Sequence, residues 1–245
     1  MTHFRLSQDI TPVHYDVSFE PDIPKKCYSA RLLITFKTKS ESNSDHAELF
    51  AHKSLLIHSI KQNGNHLKYT RDESNSHLYI YGTNLNEVTG PVEILFDGSL
   101  DHFTMGWYYV NDECCSSQFE SSMARYLMSC FDEPCVKSIF TICIKTLKHL
   151  TAYSNMPPAS ILTNEDGTKH TFTFHETPPM SCYLLSLVVG DFDMKKGYTK
   201  RHHLPVDVIA PRGQAELMDE PLQVCIYAVD WLKDFLQVDF PLPRL

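Results

Sequence analysis

Apolar residues recur at every second position in many short runs of this chain. Val13, Tyr15, Val17 and Phe19 alternate with polar neighbours, as do Leu32, Ile34 and Phe36. A period of two puts one set of side chains on one face of a strand, so these runs predict half-buried β-strands. The segments around Leu55–Ile60, Leu78–Gly82, Val92–Phe96, Phe140–Ile144, Thr171–Phe174 and Cys182–Val189 predict more of the same. Asn63-Gly64 and Asp166-Gly167 mark turns between them, because these residues tolerate positive φ. Strands this short, joined by hairpin turns, leave too little chain for repeated βαβ units. The expected fold class is mainly β, an antiparallel sandwich or saddle.

Two segments break the alternation. Ser121–Met128 predicts a short helix with Ser121 or Ser122 as its N-cap. From about Glu220 to Leu236, the residues Leu222, Cys225, Val229, Leu232 and Leu236 recur at helical spacing. Pro221 suits a first turn, where its missing N–H leaves no bond unmade, and Asp219 is the expected cap. Trp231, Leu232, Phe235 and Leu236 are expected to leave apolar surface uncovered on this helix. The Pro-rich Phe240-Pro241-Leu242-Pro243 follows, and the pattern reads as the opening of a second domain.

Charge and cysteine usage narrow the function classes. Lys plus Arg number 22 and Asp plus Glu 30, a formal net charge of −8, which argues against nucleic acid and anionic membrane partners. No apolar run reaches the ~18 residues of a membrane span. Met1–Ile10 lacks the apolar stretch of a secretory signal. The eight cysteines form no CxxC and no regular framework, so reduced thiols and a cytoplasmic location are expected.

The obvious catalytic motifs are missing. His175-Glu176 begins like HExxH, but Thr177-Pro178-Pro179 follows and forbids the helix that would align two histidines. His202-His203 and Cys114-Cys115 are adjacent pairs that a strand sends to opposite faces. No phosphate-binding glycine loop and no GxSxG elbow is present. The densest polar segment runs from Ser116 to Arg125 and on to Pro134. Within it, Gln118 and Glu120 are two apart and share one face of an extended strand. Such a pair is either a solvated strand face or a receptor for an ammonium group, with the carboxylate supplying charge and the amide oxygen a second acceptor. Asp132-Glu133-Pro134 reads as a turn with Arg125 as its ionic partner.

These residues carry a resemblance. Ser117-Gln118-Phe119-Glu120, Ala124-Arg125, Cys130-Phe131-Asp132-Glu133-Pro134 and Lys137 resemble the T-Q-F-E, A-R, P-C-[FW]-D-E-P and K-A motifs of zinc aminopeptidases. The family is that of aminopeptidase N and the puromycin-sensitive enzyme. Pro12–Val17, Ser154-Asn155-Met156-Pro157, Thr177–Leu184, Gly190-Asp191-Phe192, Ala210–Glu216 and Phe240–Pro243 resemble further family motifs in the family's order.

The resemblance implies an N-terminal β-saddle domain over residues 1–204, followed at 205–245 by the first strand and helix of an incomplete thermolysin-like α/β domain. It implies that Gln118 and Glu120 bind the substrate's free α-amino group, and that Cys130, Asp132 and Glu133 are structural. The parent enzyme would use zinc to release N-terminal residues from peptides. The G-A-M-E-N motif, the HExxH helix and the downstream zinc-binding glutamate are absent from this sequence. The chain alone is therefore expected to bind no zinc and to be inactive, with the missing catalytic domain or a full-length enzyme as its partner. A non-catalytic β-domain that binds other proteins is the alternative reading. Ser117 for Thr, Met128-Ser129 for Phe-Pro, and Trp107-Tyr108-Tyr109 for a Tyr-Arg-Ser type of strand depart from the family pattern.

Overall fold

The computed structural model describes residues 5–40, 44–82, 85, 89–101 and 103–245. Alternating segments form strands throughout: β1 (Ile10–Asp22), β2 (Cys27–Thr38), β3 (His46–Phe50), β4 (Leu56–Gln62), β5 (Asn65–His66), β6 (Lys68–Asp72), β7 (His77–Tyr81), β8 (Val92–Ser99), β9 (Gly106–Asn111) and β10 (Cys114–Gln118). After a short 3-10 turn come β11 (Ile139–Leu147), β12 (Thr151–Ser154), β13 (Pro158–Thr163), β14 (Lys169–Phe174), β15 (Leu187–Gly190), β16 (Phe192–Tyr198) and β17 (Pro205–Pro211). One helix, α1 (Asp219–Leu236), follows.

The largest sheet has eight strands in the order β13-β14-β11-β1-β2-β8-β4-β5. A four-stranded sheet, β12-β15-β10-β9, and a three-stranded one, β3-β7-β6, complete the main body. Among the described residues every strand pair is antiparallel except β1 with β11, which run parallel with Tyr15 opposite Phe140. The intervening chain from β2 to β10 makes that crossover, a long-range choice with no local signature.

Burial follows the alternation. Tyr15, Val17 and Phe19 of β1, Leu32, Ile34 and Phe36 of β2, and Val92, Ile94 and Phe96 of β8 all lie in one core. Val13 is only half-buried, because the β1–β2 register shifts between Pro12 and His14 and throws it out of phase. The Asn63-Gly64 turn takes positive φ at both residues, 50° and 80°, as a tight hairpin requires.

The expectations over Ser121–Met128 and Cys182–Val189 need correction. No helix spans Ser121–Met128; only Ala124–Tyr126 makes a 3-10 turn, with Met123 as N-cap and no side-chain cap bond. Tertiary donors take the carbonyls that a helix would use. The His52 N–H donates to the Arg125 carbonyl at 2.9 Å, and the Tyr28 hydroxyl donates to the Leu127 carbonyl at 2.6 Å. The Cys182–Val189 strand starts only at Leu187, because Cys182–Leu184 forms a 3-10 turn closed by bonds from Leu184 and Leu185 back to Ser181 and Cys182.

β16 and β17 form a separate two-stranded sheet that carries α1. Val206, Leu222 and Ile226 make its small core. Gly197 permits the close approach: a Cβ there would sit 2.8 Å from the Ile226 side chain. Met218, not Asp219, caps α1; Asp219 stands in the first turn and pairs with Lys195 at 2.6 Å. A carboxylate there suits the positive end of the helix dipole. The other helix face is open, with Phe235 68 % and Trp231 48 % exposed.

Candidate functional site

β10 carries Gln118 as its last residue, and Glu120 lies in the turn just beyond it. On one side the strand pairs with β9, with Gln118 opposite Gly106 and Ser117 opposite Trp107. On the other, Cys115 opposes Val189 of β15. The Leu187 N–H donates to the Ser117 hydroxyl at 2.8 Å, so the serine that replaces the family's threonine retains the hydroxyl that ties β10 to β15. Cys114 and Cys115 sit at a register shift, where Cys115 is buried in the core. Burial pushes its thiol far above the ordinary range, which makes it unreactive.

Phe119 is 1 % exposed and anchors the end of the strand, while Gln118 and Glu120 on either side of it are exposed. β10 ends at Gln118, and Glu120 already stands in the turn that follows, closed by the Met123 N–H donating to the Phe119 carbonyl at 2.8 Å, so the single extended strand expected for the pair is not what the chain forms. Neither makes a hydrogen bond or ion pair among the described residues. An amide oxygen and a carboxylate are acceptor types that suit a cationic donor.

The platform beneath is held by buried polar contacts. Arg125 Nε donates to Asp132 Oδ2 at 2.9 Å, and the Arg125 guanidinium lies 3.7 Å from the centre of the Phe50 ring. Burial pushes the Asp132 carboxyl up, against the downward pull of Arg125. Glu133 accepts the Leu6 N–H at 2.7 Å. Cys130 is fully buried and bridges to Phe50 through paired backbone bonds of 2.8 and 2.9 Å. Met128 and Ser129 are also fully buried, so these departures from the family pattern are packed into the core. Trp107 is another core residue, its ring centre 5.1 Å from that of Tyr28 and 5.4 Å from that of Phe19.

Sequence reasoning missed Tyr28 and Phe50, which fix this platform from distant strands. Tyr28 reaches the Leu127 carbonyl across 99 positions, and a Cβ on Gly98 would collide with its ring. Nothing local to either residue announces that role.

The described residues do not fit a catalytic zinc ion. Such a site needs three protein ligands and an open water position. Among the described residues no group of three or more His, Cys, Asp or Glu could hold a metal. His175 and Glu176 are exposed just beyond β14, and His202 and His203 lie in the turn between β16 and β17. No helix among the described residues is long and apolar enough to cross a membrane.

The family model for the Peptidase M1 N-terminal domain matches residues 11–184. The puromycin-sensitive aminopeptidase of Caenorhabditis elegans is 29 % identical over 98 % of this chain and 26 % of its own length. Aminopeptidase N of Lactococcus lactis is 30 % identical over 98 % of this chain and 28 % of its own length. Probable aminopeptidase 1 of Sulfurisphaera tokodaii is 30 % identical over 85 % of this chain and 26 % of its own length. The chain thus spans about a quarter of the length of these relatives. With a family model covering the β-sheet body and the strand that carries Gln118, this chain belongs to the M1 peptidase family through its N-terminal domain.

Proposed function

We propose that this chain is the N-terminal part of a zinc aminopeptidase and supplies the strand that receives the substrate's α-ammonium group. The carrying observation is the exposed Gln118 and Glu120 around a buried Phe119, with no partner of their own among the described residues. Glu120 provides the countercharge and the Gln118 amide oxygen a second acceptor, which together fix the peptide by its free end. A zinc ion in the complete enzyme would supply the water-activating chemistry. This chain's own share is to bind and orient the amine. The proposed division into residues 1–204 and 205–245 falls at the turn between β16 and β17. Peptide N-termini are the proposed substrates, the catalytic remainder the proposed partner, and the cytoplasm the proposed location.

The reading predicts a sharp split between binding and turnover. Purified chain mixed with aminoacyl reporter substrates, with and without added zinc, is expected to release no product. Zinc-dependent turnover by homogeneous material would overturn the proposal.

A further inference from the structure

Two cavities on the eight-stranded sheet differ in charge. One, of about 480 Å³, holds Lys145 and Lys169, and Glu20 pairs with both of them. Asp22, Asp97 and Asp112 line it too, so its lysines are more than balanced. The other, of about 350 Å³, lies where the start of β1 meets the end of β2 and the segment before β11. Lys37, Lys39 and Lys137 line it, and no Asp or Glu does. This concentration of positive charge stands in a chain whose net charge is −8.

The strand register brings these groups together. β1 lies between β2 and β11 in the sheet. Thr11 opposes Lys37, so the two side chains share a face. The Lys39 N–H donates to the Asp9 carbonyl at 2.9 Å and fastens the chain after β2 to the chain before β1. On the other side, the Ser138 hydroxyl donates to the Pro12 carbonyl at 3.0 Å, next to Lys137.

The lysine charges are largely unpaired. Lys39 reaches Asp9 only at 3.8 Å. Lys137 donates to the Ser181 hydroxyl at 2.7 Å and meets no carboxylate among the described residues. Lys37 is exposed, with no side-chain partner among the described residues. Thr11 is only 8 % exposed, yet its hydroxyl makes no hydrogen bond among the described residues. A buried hydroxyl costs free energy until it finds a partner, and Thr11 lines the cavity.

We infer that this cavity binds a phosphate group, free or carried by a small molecule. Ammonium groups hold phosphate as point charges, whereas the planar grip on a carboxylate is an arginine's, and no arginine lines the cavity. The three lysines supply countercharge and the Thr11 hydroxyl donates to a phosphate oxygen. The volume falls in the range of small-molecule sites and leaves room for the rest of a small ester.

The exposed Cys135 lines the same cavity and reports on it. Calorimetry of the full chain should show inorganic phosphate and glycerol 2-phosphate each binding with a Kd of about 1 mM or tighter. Tighter binding of the ester assigns an organic phosphate, and equal or weaker binding assigns free phosphate. At about ten times its Kd, either probe should slow alkylation of Cys135 by iodoacetamide about tenfold, read by peptide mass spectrometry. Cys27, at the far end of β2, should react as before. Lys37→Gln should weaken binding at least about tenfold with an unchanged circular dichroism spectrum. Thr11→Val should weaken it about three- to tenfold without lowering the unfolding midpoint. The proposal falls if neither probe binds saturably, if sodium chloride at equal ionic strength protects Cys135 as well, or if either variant binds as the wild type does.

Discussion

The two apolar cores of this chain differ in what surrounds them. The main core collects side chains from Leu6 to Val189, supplied by three sheets. The second rests on Val206, Leu222 and Ile226, with Val208 and Cys225 beside them. Helix α1 has enough apolar residues for two faces, but among the described residues it packs on the β16–β17 hairpin and the short 3-10 turn Ala215–Met218 that leads into it. Its Trp231 and Phe235 rings stack on each other, 4.9 Å between centres, on the open side. Burial here depends on the presence of a facing element as much as on hydrophobicity. The same amphipathic pattern gives a closed core where sheets face each other and an open face where nothing does.

Three substitutions sharpen the contrast. Phe140→Ala should have the largest effect, because Phe140 is fully buried and stacked on Tyr15 with ring centres 5.0 Å apart. A loss of about 3–5 kcal/mol is expected from the cavity and the lost transfer energy, read by denaturant or thermal unfolding. Ile226→Ala should act locally. Amide hydrogen exchange should show α1 losing its protection while the main unfolding midpoint moves by no more than about 2 °C. A common loss of both regions after Ile226→Ala would show one cooperative unit and erase the distinction.

The smallest effect concerns charge on the main sheet. Burial alone would raise the Glu20 carboxyl, but hydrogen bonds from Lys169 and Lys145 outweigh it and hold it below its ordinary value. Its stabilising contribution is therefore present above the unfolded value near 4.5 and is lost as pH falls through the lower folded value. Glu20→Gln should cost less than about 1 kcal/mol at neutral pH, since the pair is partly solvent-screened, and nothing in strong acid. A stability difference that persists unchanged at low pH would rule out this linkage.

The main body was legible because strand alternation is a local signal: Leu32, Ile34 and Phe36 announce their face within five residues. At Gln118 and Glu120 the local signal reached only the exposure of the two residues around a buried Phe119; the turn that takes Glu120 off the strand was not announced. What stayed hidden depends on distant partners. The parallel β1–β11 pairing, the Tyr28 bond to Leu127 and the Phe50 ring beneath Arg125 all join residues far apart in the chain. The Tyr28 bond, with that from the His52 N–H to the Arg125 carbonyl, defeated the helix expected over Ser121–Met128, where local propensity yielded to tertiary hydrogen bonds. The edge strand β13 lies between these cases. Its composition is plain in the sequence, but only the strand order shows that it has an open side.

The central claim is that Glu120 holds the amine of a peptide substrate. The direct test is a chimera in which residues 1–245 replace the matching segment of the Caenorhabditis elegans puromycin-sensitive aminopeptidase, compared with the same chimera carrying Glu120→Ala. A charge-assisted hydrogen bond contributes about 1.5–3 kcal/mol, so kcat/KM for peptides with a free N-terminus should fall about ten- to a hundredfold. Kinetics unchanged within about twofold, in a chimera that is itself active, would contradict the account.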